Sequence, residues 1–442
     1  MATACPIAST AVPTTRTATD DVRAGRLLAR GTTLAALCSA FAAASIATPA
    51  RADWAGAWAA AAQDFAQTAD AGGPNATLKA GQTLRQRVHP LLSGSRMRVR
   101  FSNAFGQEPL HIASASVARS TGGDAISPGT LEPLRFDNGR PDIVIAPGQQ
   151  AWSDEVAMPT DPRQPLAVTF HLDRNTPART VHRQPSQATW IADAATPATP
   201  KFEAPQPAPW NHIVTGIDVQ RAPSATRVVV AFGDSITEGT GTTEDLSPRP
   251  YPERLAARLR DGAGADTAVS VLNLGIGGNR LLADRTGPSG LSRFGRDVLA
   301  QSGVTHALIL IGINDIGVGV LSSHLPASVT GGTATAEQLI AGLQQLTAQA
   351  RARGVKVLLG TLLPMKGSGY WNEESEARRQ AVNRWIRGRQ GVDGVIDFDA
   401  AMRDEKDHQA LNRAYDSGDH LHPNDAGNAA MAAAVDLREL RE

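Results

Sequence analysis

Along the first half of the chain, from Asp53 to about Pro223, apolar and polar residues alternate with period two. Arg96, Met97, Arg98, Val99, Arg100 and Phe101 alternate strictly, which puts Met97, Val99 and Phe101 on one face of a half-buried strand. Similar short runs follow at Leu110–Val117, Ile143–Ile145, Leu166–Leu172 and Ile213–Val219, each bounded by Gly, Pro, Asn or Asp. Such spacing without an amphipathic helix predicts an all-β sandwich or jelly-roll-like domain over 53–222. The arginines of the alternating run read as a solvated sheet face. Trp54, Trp58, Trp152, Trp190 and Trp210 read either as a ligand platform or as large core residues, burial being the commoner fate of tryptophan. The stretch 196–210, with Pro197, Pro200, Pro205, Pro207 and Pro209, reads as a connector without regular structure.

After residue 222 the period changes. Apolar runs at Val228–Phe232, Val269–Leu274, Ala307–Ile311, Val355–Leu359 and Val395–Phe398 alternate with helical patterns at Pro252–Arg260, Glu337–Arg353, Glu374–Arg389 and Asn424–Leu440. Uninterrupted apolar strands joined by helices predict an α/β domain over 223–442 with a parallel, doubly wound sheet. Gly317–Thr335, rich in Gly, Ser and Thr, reads as a long loop.

Composition refines this picture in two ways. Residues 1–52 read as a signal or leader segment. Arg23, Arg26 and Arg30 precede an Ala/Leu-rich run, and Ala50-Arg51-Ala52 matches a signal-peptidase site, so export with cleavage near Ala52 is expected. The run is too short for a membrane span, and Cys5 and Cys38 both fall inside it, so the mature chain is expected to hold no thiol. Lys+Arg and Asp+Glu each total 43 in the 442 residues, a balance that offers no basic surface for nucleic acid.

Four stretches fall at predicted C-terminal strand ends, the edge where open α/β sheets bind ligands. Gly233-Asp234-Ser235 leaves a hydroxyl at the tip of the first strand. Asn273–Arg280 is glycine-rich, Gly312-Ile313-Asn314-Asp315 follows the third strand, and Asp416–Asn424 carries Asp419, His420 and His422. Serine acyl transfer needs a base, a carboxylate to orient it and donors for the oxyanion. Ser235, His422 and Asp419 meet the first needs. The backbone N–H groups of Ser235 and Gly278 and the side chain of Asn314 meet the last, with Gly277 as the alternative to its neighbour. Asp234 and Asp315 read as turn and cap groups, and His420 as structural. A zinc site on His420, His422, Asp416 and Asp419 would leave Ser235 without a purpose.

These blocks, in this order over residues 228–442, resemble those of the SGNH hydrolase (GDSL esterase/lipase) family. The resemblance implies a flavodoxin-like three-layer sheet, Ser235 as nucleophile, Asp419 and His422 completing the triad, and Ser235, Gly278 and Asn314 as oxyanion hole. The preceding β domain is similar to that of a two-domain bacterial branch that includes carbohydrate acetylesterases. The expected protein is an exported serine esterase hydrolysing short acyl esters, on carbohydrate or small alcohols, with no metal or organic cofactor. A GDSL lipase or lysophospholipase and a carbohydrate-binding protein on a hydrolase fold are the alternatives. Oligomeric state stays open.

Overall fold

Five short apolar runs form a parallel sheet in the order Ala268–Gly275, Thr226–Gly233, Val304–Leu310, Lys356–Gly360, Gly394–Ile396. These belong to a computed structural model that describes residues 54–68, 76–183, 189–221, 226–242, 250–261, 268–321, 333–388 and 391–440. The leader with Cys5, Cys38 and its cleavage pattern lies outside the described residues, as does the expected boundary at 222–223. Val228, Val229, Val230, Ala231 and Phe232 are all fully buried, as an unbroken apolar run inside a covered parallel sheet must be. The helices Tyr251–Asp261, Ala336–Arg351, Glu373–Arg387 and Asp425–Ala434 fall where the periodicity placed them. Capping boxes at Thr335/Gln338 and Asn372/Ser375 start two of them. None of the described helices is long and apolar enough to cross a membrane.

Three readings of this half need correction. The predicted long loop begins instead as helix: Ile313–Leu321 is α-helical, and residues 322–332 lie outside the described part. Its glycines, which look like loop composition, serve close packing. A Cβ on Gly317 would lie 2.0 Å from Tyr370 Cδ2, and one on Gly319 would lie 1.8 Å from Thr333 Oγ1. The last helix stops at Ala434, short of Leu440. A helix over Gly290–Phe294, extended by a π turn over Gly295–Leu299, carries no clear sequence period.

The strands before residue 222 are antiparallel. One sheet runs Trp54–Ala59, Val214–Gln220, Met97–Ser102, Gln150–Trp152; a larger one is built on Thr189–Asp193, Gln82–Val88, Leu166–His171 and Ser114–Gly122. Phe101 of the first meets Phe170 of the second edge-on, with ring centroids 6.1 Å apart. The proline-rich stretch is not wholly irregular, since Gln206–Ala208 pairs with Thr189–Asp193 at the edge of the larger sheet. An edge strand tolerates Pro207 because it needs only one row of ladder bonds.

Of the arginines of the alternating run Arg96 is exposed, as expected, but Arg98 and Arg100 are not on a solvated face. Arg98 pairs with Asp218 at 2.7 Å and lies between the rings of Trp54 and Trp152, at 4.6 and 4.2 Å. Arg100 is buried and donates to the Thr215 carbonyl at 2.9 Å and to Gln301 Oε1 at 3.4 Å. The reason is tertiary, because this sheet packs against the parallel-sheet half. Gly56 N–H donates to the Ser302 carbonyl at 2.9 Å. A Cβ on Gly56 would come 2.9 Å from Leu272 Cδ1.

Candidate active site

The strand Thr226–Gly233 ends in a turn too tight for any residue but glycine: a Cβ on Gly233 would lie 2.4 Å from the Leu310 carbonyl oxygen. Asp234 then caps a one-turn helix, Ser235–Glu238, accepting the Ile236 N–H at 3.1 Å. Burial pushes the Asp234 carboxyl up to about 7, against the Ile236 N–H, which favours the charged form. Gly239, at φ 111°, ends the helix.

The segment Asp416–Asn424 brings the remaining groups to this turn. His422 Nε2 lies 2.8 Å from Ser235 Oγ, and His422 Nδ1 lies 2.6 Å from Asp419 Oδ2. Asp419 Oδ1 accepts the backbone N–H groups of His422 and Leu421 at 2.8 and 3.0 Å. Desolvation works against its charge. The imidazole and these N–H groups outweigh it and hold the carboxyl at about 2. His420 pairs separately with Asp416 at 2.6 Å, so each imidazole engages its own carboxylate.

Asn314 sits at the start of its helix with its amide fixed from both sides. Nδ2 donates to the Asn279 carbonyl at 3.0 Å, and Oδ1 accepts the Tyr370 hydroxyl at 2.8 Å. A carbonyl can only accept, so the amide orientation follows from its partners. Gly278 has φ 70°. The neighbouring Gly277 lies against the Glu238 carboxyl, where a Cβ would come 2.9 Å from Oε2. Asp315 accepts the N–H groups of Leu281 and Leu282 at 2.7 and 3.0 Å, bracing the chain beyond this turn.

Residues 231–430 match the family model described as the GDSL-like lipase/acylhydrolase family. These residues are a GDSL-like acylhydrolase domain. A GDSL-like lipase from Bacteroides thetaiotaomicron is 20% identical, over 50% of this chain and 92% of that one, with a TM-score of 0.35. An acetylxylan esterase from Geobacillus stearothermophilus is 21% identical, over 49% of this chain and 94% of that one, at 0.38. No curated protein matches the chain.

The acylhydrolase domain does not enclose its cavity alone. A cavity of about 410 Å³ is lined by Ser235, Glu238, Gly278, Asn314, Tyr370 and His422 from that domain. Gln63, Gln67, Thr68, Arg183 and Trp210 line it from the antiparallel half. Gln63, Arg183 and Trp210 lie on a three-stranded sheet made of Gln63–Asp64, Thr180–Arg183 and Trp210–His212. Gln63 Nε2 ties this wall to the Thr286 carbonyl at 2.7 Å. No Val, Leu, Ile, Met or Phe lines the cavity among the described residues. Of these lining residues, sequence reasoning singled out Trp210 only as an aromatic, and it missed Gln63, Gln67, Thr68, Arg183 and Glu238. Glu238 had one signal, standing three residues after Ser235.

Arg293 is a further residue that the sequence did not flag. It is fully buried and donates to the Gly233 carbonyl at 2.7 Å, the Leu274 carbonyl at 2.9 Å and Asn279 Oδ1 at 2.9 Å. It thus ties together the ends of both strands that lead into the site. Burial lowers its pKa to about 10, so it keeps its charge at neutral pH. Asp297 links it at 3.0 Å to Arg296, which donates to the Ala62 carbonyl at 2.8 Å.

Proposed function

We propose that the protein is a serine-dependent carboxylic ester hydrolase that acts on short acyl esters through an acyl-enzyme on Ser235. The observation that carries this is the continuous line from Ser235 Oγ to His422 at 2.8 Å and on to Asp419 at 2.6 Å. His422 Nε2 takes the serine proton as Oγ attacks the ester carbonyl, while Asp419 holds the Nδ1–H and balances the imidazolium charge. The oxyanion is met by the N–H groups of Ser235 and Gly278 and by Asn314 Nδ2. The close approach of the Glu238 carboxyl to Gly277, where a Cβ would come 2.9 Å from Oε2, supports Gly278 as the donor. The imidazolium then protonates the leaving alcohol. Water, deprotonated by the same His422, attacks the acyl-enzyme and releases the acid and the free serine.

A lining in which Gln63, Gln67, Thr68, Arg183 and Glu238 stand beside Trp210 and Tyr370 supports a short acyl group over a long chain. The strand order second, first, third, fourth, fifth supports the flavodoxin-like arrangement. The paired antiparallel sheets support a β-sandwich domain ahead of it. Export rests on the leader pattern of residues 1–52.

Ser235→Ala tests the reading. We expect kcat on a short acetate ester to fall by roughly 10⁴-fold or more, with an unchanged circular dichroism spectrum. A phosphonylating reagent should add one mass adduct to the wild type and none to the variant. Near-normal turnover in the variant would remove the nucleophile assignment.

A further inference from the structure

Glu238 has no part in the mechanism above, yet the chain is shaped around it. It stands at i+3 from Ser235 on a single helical turn, so the two side chains share a face. Two glycines of the facing turn leave it room. A Cβ on Gly275 would lie 2.2 Å from the Glu238 backbone nitrogen, and one on Gly277 would lie 2.9 Å from Glu238 Oε2. Oε1 is buried with no hydrogen-bond partner among the described residues. The residue is 6% exposed and lines the cavity that holds Ser235 and His422.

A buried carboxyl with one oxygen unpartnered is better accommodated as the neutral acid. Burial pushes the group up to about 8, with Asp234 adding to the rise and the Gly277 N–H, Arg183 and Arg293 opposing it. At neutral pH the carboxyl therefore holds a proton and can donate it in a hydrogen bond. If the acyl group is short, as proposed above, it fills a small part of the 410 Å³. The rest must take the alcohol, among Arg183, Gln67 and Thr68.

We infer that Glu238 is a specificity-determining residue that donates a hydrogen bond from its carboxyl to a second oxygen on the alcohol half of the ester. It thereby selects O-acylated polyols and sugars over esters of simple alcohols. A site with a buried hydrogen-bonding group discriminates strongly against an analogue that leaves the group unpaired. The inference rests on the serine-esterase reading and deepens it.

The test compares kcat/KM for glycerol monoacetate and ethyl acetate, which share an acyl group and differ in the second oxygen. The wild type is expected to prefer the glycerol ester by about 10- to 100-fold. Glu238→Leu should bring that ratio near one while ethyl acetate turnover stays within about threefold. Glu238→Gln keeps an N–H donor and should keep the ratio. In the wild type the ratio should fall as pH rises through about 8, where the proton is lost, and in the Gln variant it should stay flat. The groups facing the carboxyl are Asp234, Arg183 and Arg293, with His422 and Tyr370 across the cavity; His422 acts on both esters, so its titration cancels in the ratio. Parallel loss of both esters in the Leu variant would mean that Glu238 only braces the Gly277–Gly278 turn, and would overturn the inference. So would an unchanged ratio, or a pH-independent wild-type ratio. Failure of the nucleophile reading shows separately, as turnover that survives Ser235→Ala.

Discussion

The C-terminal edge of the parallel sheet and the three-stranded antiparallel sheet both line one cavity, and their parts come together differently. On the parallel side the groups arrive in short blocks. Asp419 and His422 are three residues apart in sequence, as are Ser235 and Glu238. On the antiparallel side Gln63 reaches its partner Thr286 across 223 residues, and Arg296 reaches Ala62 across 234. The short blocks are rigid local turns, so they can hold reacting atoms to within a few tenths of an ångström. The long-range wall has no chemistry of its own and can change composition without disturbing those turns. The comparison therefore predicts that damage to Ser235, His422, Asp419 or Asn314 on the parallel side lowers kcat, while damage on the antiparallel wall, like that at Glu238 facing it, changes substrate preference, unless the damage removes the shared core.

Removing the whole antiparallel half is the severest break. A chain begun at Ala225 would bare the side of the parallel sheet where Leu272 packs on Gly56, and would cut the Arg296–Ala62 bond. We expect it to be insoluble or inactive on every ester. A soluble fragment with intact activity on ethyl acetate would make that half an appended module and dissolve the comparison.

Asn314→Ala is the sharper probe of the parallel side. Loss of one oxyanion donor should lower kcat about 10²- to 10³-fold with little change in KM, because the bond strengthens as charge develops. A raised KM with kcat preserved would mark Asn314 as a contact to bound substrate. The smallest effect is expected at Arg183→Ala on the antiparallel wall. It should raise KM for glycerol monoacetate roughly threefold to tenfold, leaving kcat and ethyl acetate kinetics nearly unchanged. A fall in kcat on both esters would place this arginine in the chemistry and not in selection.

Much was legible without coordinates because it is local. Period two and then strand–helix alternation are properties of neighbouring residues. So is the turn at Gly233-Asp234-Ser235, and so is the spacing of Asp419 and His422, which lets a single carboxylate accept the histidine backbone N–H and still reach its ring. Where sequence reading failed, a distant partner had changed the meaning of a local pattern. Gly317 and Gly319 look like loop residues until Tyr370 and Thr333 are seen to need their space. Arg98 and Arg100 look solvated until Asp218, Thr215 and Gln301 close over them.

The sequence by itself determined two successive architectures and the residue types that the proposed serine chemistry needs, since period, turn chemistry and short spacing are written in adjacent positions. Only the tertiary structure decided that Asn314 is held by Tyr370 and Asn279, that Gly277 lies against the Glu238 carboxyl, and that Gln63, Arg183 and Trp210 complete the cavity. Those contacts join segments far apart along the chain. Their pairing is set by how whole sheets pack, which no local pattern of hydrophobic and polar residues specifies.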